Sequence, residues 1–463
     1  MKFHLKGANQ GKTAALSKYH LPHRERRDLT SAPVHPVPLV LERLVSSLTP
    51  DLRLNGQILL QQIRTLGEIG VYETHGGRTR IALTDTEKAG RDQLVEWMKA
   101  LALDVRVDRI GNIFATLRSA TDQGDQAPLM IGSHIDSVTN AGALDGCYGV
   151  LAGLAVARAY RDAGVLPARS ITIAAFTNEE GVRYQPDMMG SLVHAGGMDI
   201  EQALDTLGTD GSRLGDELER IGYAGDMEPG SIIAHEYLEL HIEQGPILEA
   251  EGVLIGVVEN LQGISWQQVV VQGNANHAGT TPTRLRHDAG YVACAVVNEL
   301  RQIAKDSAGT TLATVGCMSF EPNVINVIAR KATFTVDLRD PDESKLVAAE
   351  QRLAQFLARV CEEEGVRIST EQWVRFEPVT FNAELADEIE SAAERLGYSH
   401  KRMTSGAGHD AQMIARVAPS AMIFVPSRGG ISHNPREHTD DDQLLNGADV
   451  LLAVVLSRLN ADR

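Results

Sequence analysis

Three short apolar runs in this chain each end on residues able to bind a metal ion or move a proton. Ile131 is followed by Gly-Ser-His134-Ile-Asp136, Phe176 by Thr-Asn-Glu179-Glu180-Gly, and Val425 by Pro-Ser-Arg-Gly-Gly-Ile-Ser-His433. In open α/β sheets, ligands bind beyond the carboxyl ends of the strands, so these segments are expected to converge at one sheet edge. Asp145 stands just before an apolar helix opening at Cys147, where backbone N–H groups help to hold a carboxylate ionised. A fourth group comes from Tyr237-Leu-Glu-Leu-His241-Ile-Glu. Strand alternation there puts Leu238, Leu240 and Ile242 on one face and Glu239, His241 and Glu243 on the other. Same-face carboxylates suit a metal-binding imidazole, because they can orient the ring.

Taken singly, His134 or His241 is more ordinary as a satisfied core or surface histidine, and Glu179-Glu180 as a solvated loop. Three strand ends, a helix start and a polar strand face offering N and O ligands together point instead to a metal site. The cysteines, Cys147, Cys294, Cys317 and Cys361, are scattered and form no C-x-x-C pair. Neither a disulfide framework nor a thiolate site is indicated, so imidazole and carboxylate must bind any metal. Such a donor set suits Zn²⁺, Mn²⁺, Co²⁺ or Ni²⁺ without choosing among them.

The elements that must position these groups read as alternating helices and strands. A helix over 56–69 carries Ile58, Leu59, Ile63, Leu66 and Ile69 at helical spacing, and a second runs from Thr86 to Leu101 behind capping side chains. Runs at 129–131, 171–176 and 421–425 are apolar on both faces, as central strands of a covered parallel sheet must be. The long apolar helix over 147–163 fits a right-handed crossover between the first two. From 264 to 373 the rhythm changes to strand (264–272), helix (286–303), strand (311–320), strand (331–339), helix (343–364) and strand (366–373). That β-α-β-β-α-β order is the ferredoxin-like split motif. The expected organisation is a flexible extension over 1–40, a discontinuous α/β domain over 41–255 and 378–463, and an inserted domain over 256–377.

Length and composition bound the rest. At 463 residues the chain is too long for one ordinary core, and 43% hydrophobic with 23% charged residues is the balance of a soluble globular protein. A formal charge of −17 disfavours a nucleic-acid partner. The basic residues between Lys2 and Arg27 are the local exception and read as a solvated tail reaching about Pro38. No run is long enough to span a membrane and no secretory signal is recognisable, so a cytoplasmic location is expected.

The motifs Gly-Ser-His134-Ile-Asp136-Ser, Leu-Asp145-Gly, Asn-Glu179-Glu180-Gly and Glu-Leu-His241-Ile-Glu-Gln244-Gly-Pro together resemble one family closely. So do Asn276-His277-Ala-Gly, Ser-Gly-Ala-Gly-His409-Asp410-Ala and Gly-Gly-Ile-Ser-His433-Asn-Pro. It is the dinuclear, metallopeptidase-like amidohydrolases that include N-carbamoyl-L-amino-acid hydrolase, β-ureidopropionase and allantoate amidohydrolase. The resemblance extends from about Leu54 to the C-terminus, with the motifs in family order. It implies a zinc-exopeptidase-like catalytic domain with a mixed, mostly parallel sheet, and an inserted domain serving dimerisation and as a lid.

The resemblance also implies two divalent metal ions per chain: Asp145 bridging both, His134 and His241 completing one site, Glu180 and His433 the other. Related peptidases tend to carry a carboxylate where His241 stands, which favours the carbamoyl-cleaving branch. Asp136 would orient the His134 ring, and Glu179 would be the general base, returning a water proton to the leaving nitrogen. His277 would stabilise the oxyanion, reaching across a homodimer interface. Asn326 and Arg339, thirteen residues apart, would clamp a substrate carboxylate, with Gln244, Gly406 and Ala407 also contacting substrate. His409 and Asp410 would be supporting residues, while His194, His235, His287 and His438 have no motif argument and read as structural or solvated. The implied reaction is hydrolysis of an N-carbamoyl-L-amino acid to amino acid, carbon dioxide and ammonia. The alternatives are an allantoate amidohydrolase, a β-ureidopropionase, a dipeptidase or an inactive binding protein.

Overall fold

The computed structural model describes residues 52–461 apart from 73–75, 123 and 125, so the expected extension over 1–40 lies outside the described residues. Helix starts follow caps that the sequence supplies. The Asn55 side chain accepts the Ile58 amide ahead of the Gly56–Gly67 helix, and Thr84 accepts that of Glu87 ahead of Asp85–Ala100. In the later part of the chain, Asp288 accepts the amides of Gly290 and Tyr291. The helix there therefore opens at Ala289 and runs to Asp306, three residues later than the periodicity predicts.

Fourteen strands are described: β1 (Asp104–Val107), β2 (Ile113–Leu117), β3 (Leu129–His134), β4 (Ile171–Phe176), β5 (Glu236–Ile242), β6 (Ile255–Leu261), β7 (Gly263–Gln272), β8 (Leu312–Thr314), β9 (Met318–Glu321), β10 (Lys331–Asp340), β11 (Arg367–Phe376), β12 (Val379–Thr380), β13 (His400–Ser405) and β14 (Ser420–Val425). Nine of them form a mixed sheet in the order β1-β2-β4-β3-β5-β14-β6-β12, with β13 also paired to β6. Its centre, β4-β3-β5-β14, is parallel, and antiparallel pairings flank it. Successive residues of the central strands feed two different cores. Ile131, Ile173, Leu240 and Ile423 pack on one side with the Cys147–Asp162 and Asp441–Ala461 helices. Met130, Phe176, Tyr237 and Phe424 pack on the other. His241 shares the parity of Tyr237, which brings it beside Phe424 and His409.

The second sheet is antiparallel, ordered β11-β7-β10-β8 with β9 also on β10, and the Ala289–Asp306 and Glu343–Glu364 helices cover one face. Ala332, Phe334, Val336 and Leu338 of β10 are buried in that core, as their alternation predicts. The β-α-β-β-α-β order holds, with one difference. The strand expected over 311–320 is two pieces, β8 and β9, interrupted around Gly316, where the lack of a side chain gives the segment nothing to pack. Because β6 belongs to the large sheet and only Gln262 separates it from β7, the chain crosses between the sheets at 262 rather than at 256. No turn signal marks that crossing in the sequence. Among the described residues, no helix is long and apolar enough to cross a membrane.

Candidate metal centre and active site

The carboxyl ends of β3, β4, β5 and β14 deliver their side chains to one edge, together with Asp145 from the start of the Cys147–Asp162 helix. Each imidazole is aimed by its own backbone. His134 Nδ1 bonds the Asp136 carbonyl oxygen at 3.0 Å and His241 Nδ1 that of Ile242 at 2.9 Å, leaving both Nε2 atoms toward the centre. His134 Nε2 lies 3.6 Å and His241 Nε2 3.2 Å from Asp145 Oδ1. The other oxygen, Oδ2, is 3.2 Å from His433 Nε2, which is in turn 3.4 Å from Glu180 Oε2. Asp145 thus presents one oxygen to each of two donor groups: His134, Asp145 and His241 in one, Asp145, Glu180 and His433 in the other. The ligand atoms of each group lie within 4.8 Å of one another. A Cβ on Gly146 would overlap the His134 ring, and its φ of +63° is in the left-handed region that favours glycine.

The chemistry of this donor set fits divalent metal. Asp136, Asp145, Glu179 and Glu180 are gathered at one edge, and among the described residues their only ion-pair partners are histidines. Burial pushes Glu180 up to about 8 and Glu179 well above the carboxylate range. Burial would also raise Asp145, but His134, His241 and His433 hold it well below its ordinary value. The Asp145 hydrogen bond raises His433 to about 9. Such packing of acids demands positive counter-charge, and imidazole nitrogens with carboxylate oxygens are the ligands borderline metals take.

Several expected residues do something different from what their motifs suggest. The Asp136 carboxylate lies 3.6 Å from His134 Nδ1, and it accepts the amides of Glu179 and Glu180, each at 3.2 Å, so it chiefly fixes the Glu179-Glu180 turn. Neither same-face glutamate orients His241. Glu239 accepts from Ser133 Oγ, Tyr237 Oη and the Ala411 amide, and Glu243 from the amides of Ile247 and Leu248. Gln244 Nε2 donates to Asp145 Oδ2 at 2.8 Å while its side chain lines the cavity. Gln244, His433, Asn178 and Met188 all have φ between 51° and 57°, unusual for non-glycine residues and clustered around this edge.

A cavity of about 180 Å³ opens here, lined by Asp145, Glu179, Glu180, Gln244 and His433 together with Trp266, Arg339 and Ala407. Arg339, at the end of β10, bonds Asp337 through Nε and Nη2, both at 3.0 Å, and the Gly406 carbonyl oxygen through Nη1 at 2.8 Å. Its guanidinium sits over the Trp266 ring, 5.8 Å from the centroid. His409 is buried against His241, 4.6 Å between ring centroids, and Asp410 accepts from Ser191 Oγ at 2.6 Å. His277 and Asn326 are exposed and adjoin each other, the Ala278 amide donating to the Asn326 carbonyl oxygen at 2.9 Å. They adjoin the Lys331 end of β10, while Arg339 is eight residues along it, roughly 26 Å at strand rise. Within one chain, therefore, Asn326 and His277 are not brought to Arg339.

Two residues at this edge carry no motif argument. Glu437 Oε1 accepts the amides of Leu144 (2.9 Å) and Asp145 (3.3 Å), and its Oε2 accepts Ser432 Oγ–H at 2.9 Å. It ties the loop bearing Asp145 to the loop bearing His433, and the His-x-x-x-Glu spacing was its only signal. Asp187 lines the cavity, and burial pushes its carboxyl up to about 6 against the pull of Arg339.

Residues 130–457 match the profile of Peptidase family M20/M25/M40. The chain belongs to this family. Among M20 relatives it is 41% identical over 404 residues to an N-carbamoyl-L-amino-acid amidohydrolase of Rhizobium meliloti, covering 87% of this chain and 96% of that one. It is 34% identical to the allantoate amidohydrolase of Escherichia coli, covering 83% and 93%. A solved hydantoinase/carbamoylase-family amidase from Burkholderia multivorans superposes with a TM-score of 0.84 at 42% identity, over 88% of this chain and 99% of that one.

Proposed function

We propose that this M20 protein hydrolyses the carbamoyl C–N bond of N-carbamoyl-L-amino acids, consuming one water and releasing the amino acid, carbon dioxide and ammonia. The observation that carries this reading is one cavity lined by Asp145, the residue shared by both donor groups, by Glu180 and His433 of the second group, by a glutamate outside both groups (Glu179), and by the Arg339 guanidinium. The 41% identity to an N-carbamoyl-L-amino-acid amidohydrolase supports the choice of bond. His134, Asp145 and His241 would hold one divalent ion and Asp145, Glu180 and His433 the second, whether Zn²⁺, Mn²⁺, Co²⁺ or Ni²⁺. Bound there, such ions lower the pKa of water and polarise the ureido carbonyl.

The chain's own groups then have distinct tasks. Glu179, held by the Asp136 carboxylate through its amide, takes the proton of the attacking water on a carboxylate oxygen and hands it to the departing nitrogen. Its burial suits a base that must also act as an acid. Gln244 keeps Asp145 Oδ2 oriented. Arg339 receives the substrate carboxylate, fixed for that purpose by Asp337 and by the Gly406 carbonyl oxygen, while Ala407 closes the wall without bulk.

His277 and Asn326 act, in this reading, from a second copy: His277 of the partner subunit bonds the oxyanion and Asn326 of the partner subunit completes the carboxylate clamp. Exposed apolar side chains near them on the second sheet's layer, Tyr291, Val324 and Ile325, support a homodimer through the inserted domain. Four free cysteines fit a reducing compartment, the cytoplasm. The test is ammonia release from N-carbamoyl-L-α-amino acids, N-carbamoyl-β-alanine, allantoate and dipeptides after metal is restored. Release from none of the ureido acids refutes the reading. Release from allantoate alone replaces it with the allantoate amidohydrolase activity that the E. coli relative carries.

A further inference from the structure

Behind the donor groups lies a buried cation that the mechanism does not use. Arg80 is 1% exposed, and its guanidinium donates to four acceptors. Nε bonds the Ile135 carbonyl oxygen at 2.6 Å, Nη1 those of Leu66 at 3.0 Å and Ile69 at 3.1 Å, and Nη2 the Cys147 Sγ at 2.8 Å. Leu66 and Ile69 stand at the C-terminal end of the Gly56–Gly67 helix, where carbonyl groups lack intrahelical partners and a cation is favoured. Ile135 lies between His134 and Asp136, and Cys147 opens its helix two residues after Asp145. None of the four acceptors is a carboxylate, although a buried charge is ordinarily paired with an opposite one. What the guanidinium accomplishes is geometric. One rigid, planar fork joins a helix end, the loop bearing His134 and the helix start bearing Asp145. Its stem has little room to swing, since a Cβ on Gly90 would lie 2.9 Å from Arg80 Cδ.

We propose that Arg80 is a positioning residue for the His134–Asp145–His241 donor group, fixing the His134 ring against the Asp145 carboxylate and so setting that group's affinity for a divalent ion; this rests on the two-ion reading of the site. The Asp145–Glu180–His433 group does not depend on the guanidinium in the same way. The Arg80 amide donates to Ser137 Oγ at 2.9 Å, and its carbonyl oxygen accepts the Ser137 amide at 3.0 Å. The backbone of any residue at position 80 can make those two bonds. They hold the segment whose next residue, Val138, donates its amide to Glu180 Oε1 at 3.2 Å. Asp145 itself is held further by Glu437 at its amide and by Gln244 at Oδ2. Loss of the guanidinium therefore frees the Ile135 carbonyl, and with it the His134 segment, more than it frees Glu180 or His433. The sign of the effect separates position from charge. A guanidinium acting only as a nearby positive charge repels a divalent ion, so its removal would tighten binding at both groups. Positioning requires weaker binding at one.

The test uses the full-length chain stripped of metal, with Zn²⁺ alone as the probe and dissociation constants read by competition with a chromophoric chelator. Two parent variants isolate the groups: His433→Ala leaves His134, Asp145 and His241, and His134→Ala leaves Asp145, Glu180 and His433. Adding Arg80→Met should weaken Zn²⁺ binding roughly 10–100-fold in the His433→Ala protein and by less than about threefold in the His134→Ala protein. Arg80→Lys keeps the charge, but a single ammonium cannot span four acceptors on three segments, so it should also weaken the first group selectively. If Arg80→Met does not fold, Arg80→Lys carries the same comparison. Equal losses in the two parents, tighter binding in Arg80→Met, or unchanged binding in Arg80→Lys overturns the assignment, while Zn²⁺ binding by both parents keeps the two-ion reading. A parent that binds no Zn²⁺ overturns the two-ion reading and the assignment with it.

Discussion

Replacing Glu437 with alanine should cost the protein one metal ion before it costs the fold. Its carboxylate accepts two amides of the Asp145 loop and the Ser432 hydroxyl beside His433, in a site where it is only 8% exposed. Each bond to a charged acceptor is worth about 1.5–3 kcal/mol, but water entering the vacated space recovers part of that, so a net destabilisation of about 3 kcal/mol is expected. What distinguishes positioning from mere stability is where the damage falls. The His433 loop loses one of its ties to the Asp145 loop, keeping the weaker Ser432 bond to Asp145, whereas His134 and His241 keep their carbonyl anchors. Metal content of the desalted protein should fall from near two toward one per chain, and affinity for the second ion by roughly 10–100-fold. Glu437→Gln keeps one oxygen for the two amides, and the Ser432 hydroxyl can turn to accept, so most of the second ion should be retained. Mass-spectrometric metal counting with chelator competition reads both. Two ions held at unchanged affinity in Glu437→Ala would refute the reasoning.

Glu179→Gln should abolish ammonia release while metal content stays near that of the unaltered protein; loss of metal in that variant would mean that Glu179 is a ligand. Arg339→Ala should raise KM and lower kcat/KM by about a hundredfold, the effect of losing about 3 kcal/mol of hydrogen bonding to a carboxylate, and unchanged affinity would remove Arg339 from the clamp. His194, buried against Phe114 and Phe176, is lowered by burial to about 4 from an ordinary 6.5. Below pH 6.5 the unfolded chain takes a proton that the folded one refuses, so stability present above that pH is lost as pH falls toward 4, by about 3 kcal/mol. Denaturant midpoints at pH 7.5 and 4.5 should therefore converge in His194→Phe, and an equal acid loss in both proteins would sink this attribution.

The positions of the two donor groups were legible because strand periodicity and strand ends are local properties. Three of the four delivering strands are doubly apolar runs that end at or shortly before a candidate ligand, and such runs occupy the centre of a covered parallel sheet. β10 was equally plain, since alternation over ten residues reports a half-buried face directly. The break between β8 and β9 and the crossing at Gln262 were harder. In one a glycine interrupts a strand without a turn sequence, and in the other two strands of different sheets run almost directly into each other.

The sequence by itself determined the inventory: which residues can ligate, which segments carry them, and the apolar patterns that force those segments into one sheet edge. Only the tertiary structure decided how the inventory divides. Asp145 turns one oxygen to each donor group, Asp136 serves the Glu179-Glu180 turn more than its neighbouring imidazole, and Glu437 joins loops 292 residues apart in sequence. It also kept His277 and Asn326 away from Arg339. The reason is physical. Periodicity records which face a residue occupies, whereas the direction of a carboxylate oxygen is set by whichever donors long-range packing brings within 3 Å or so.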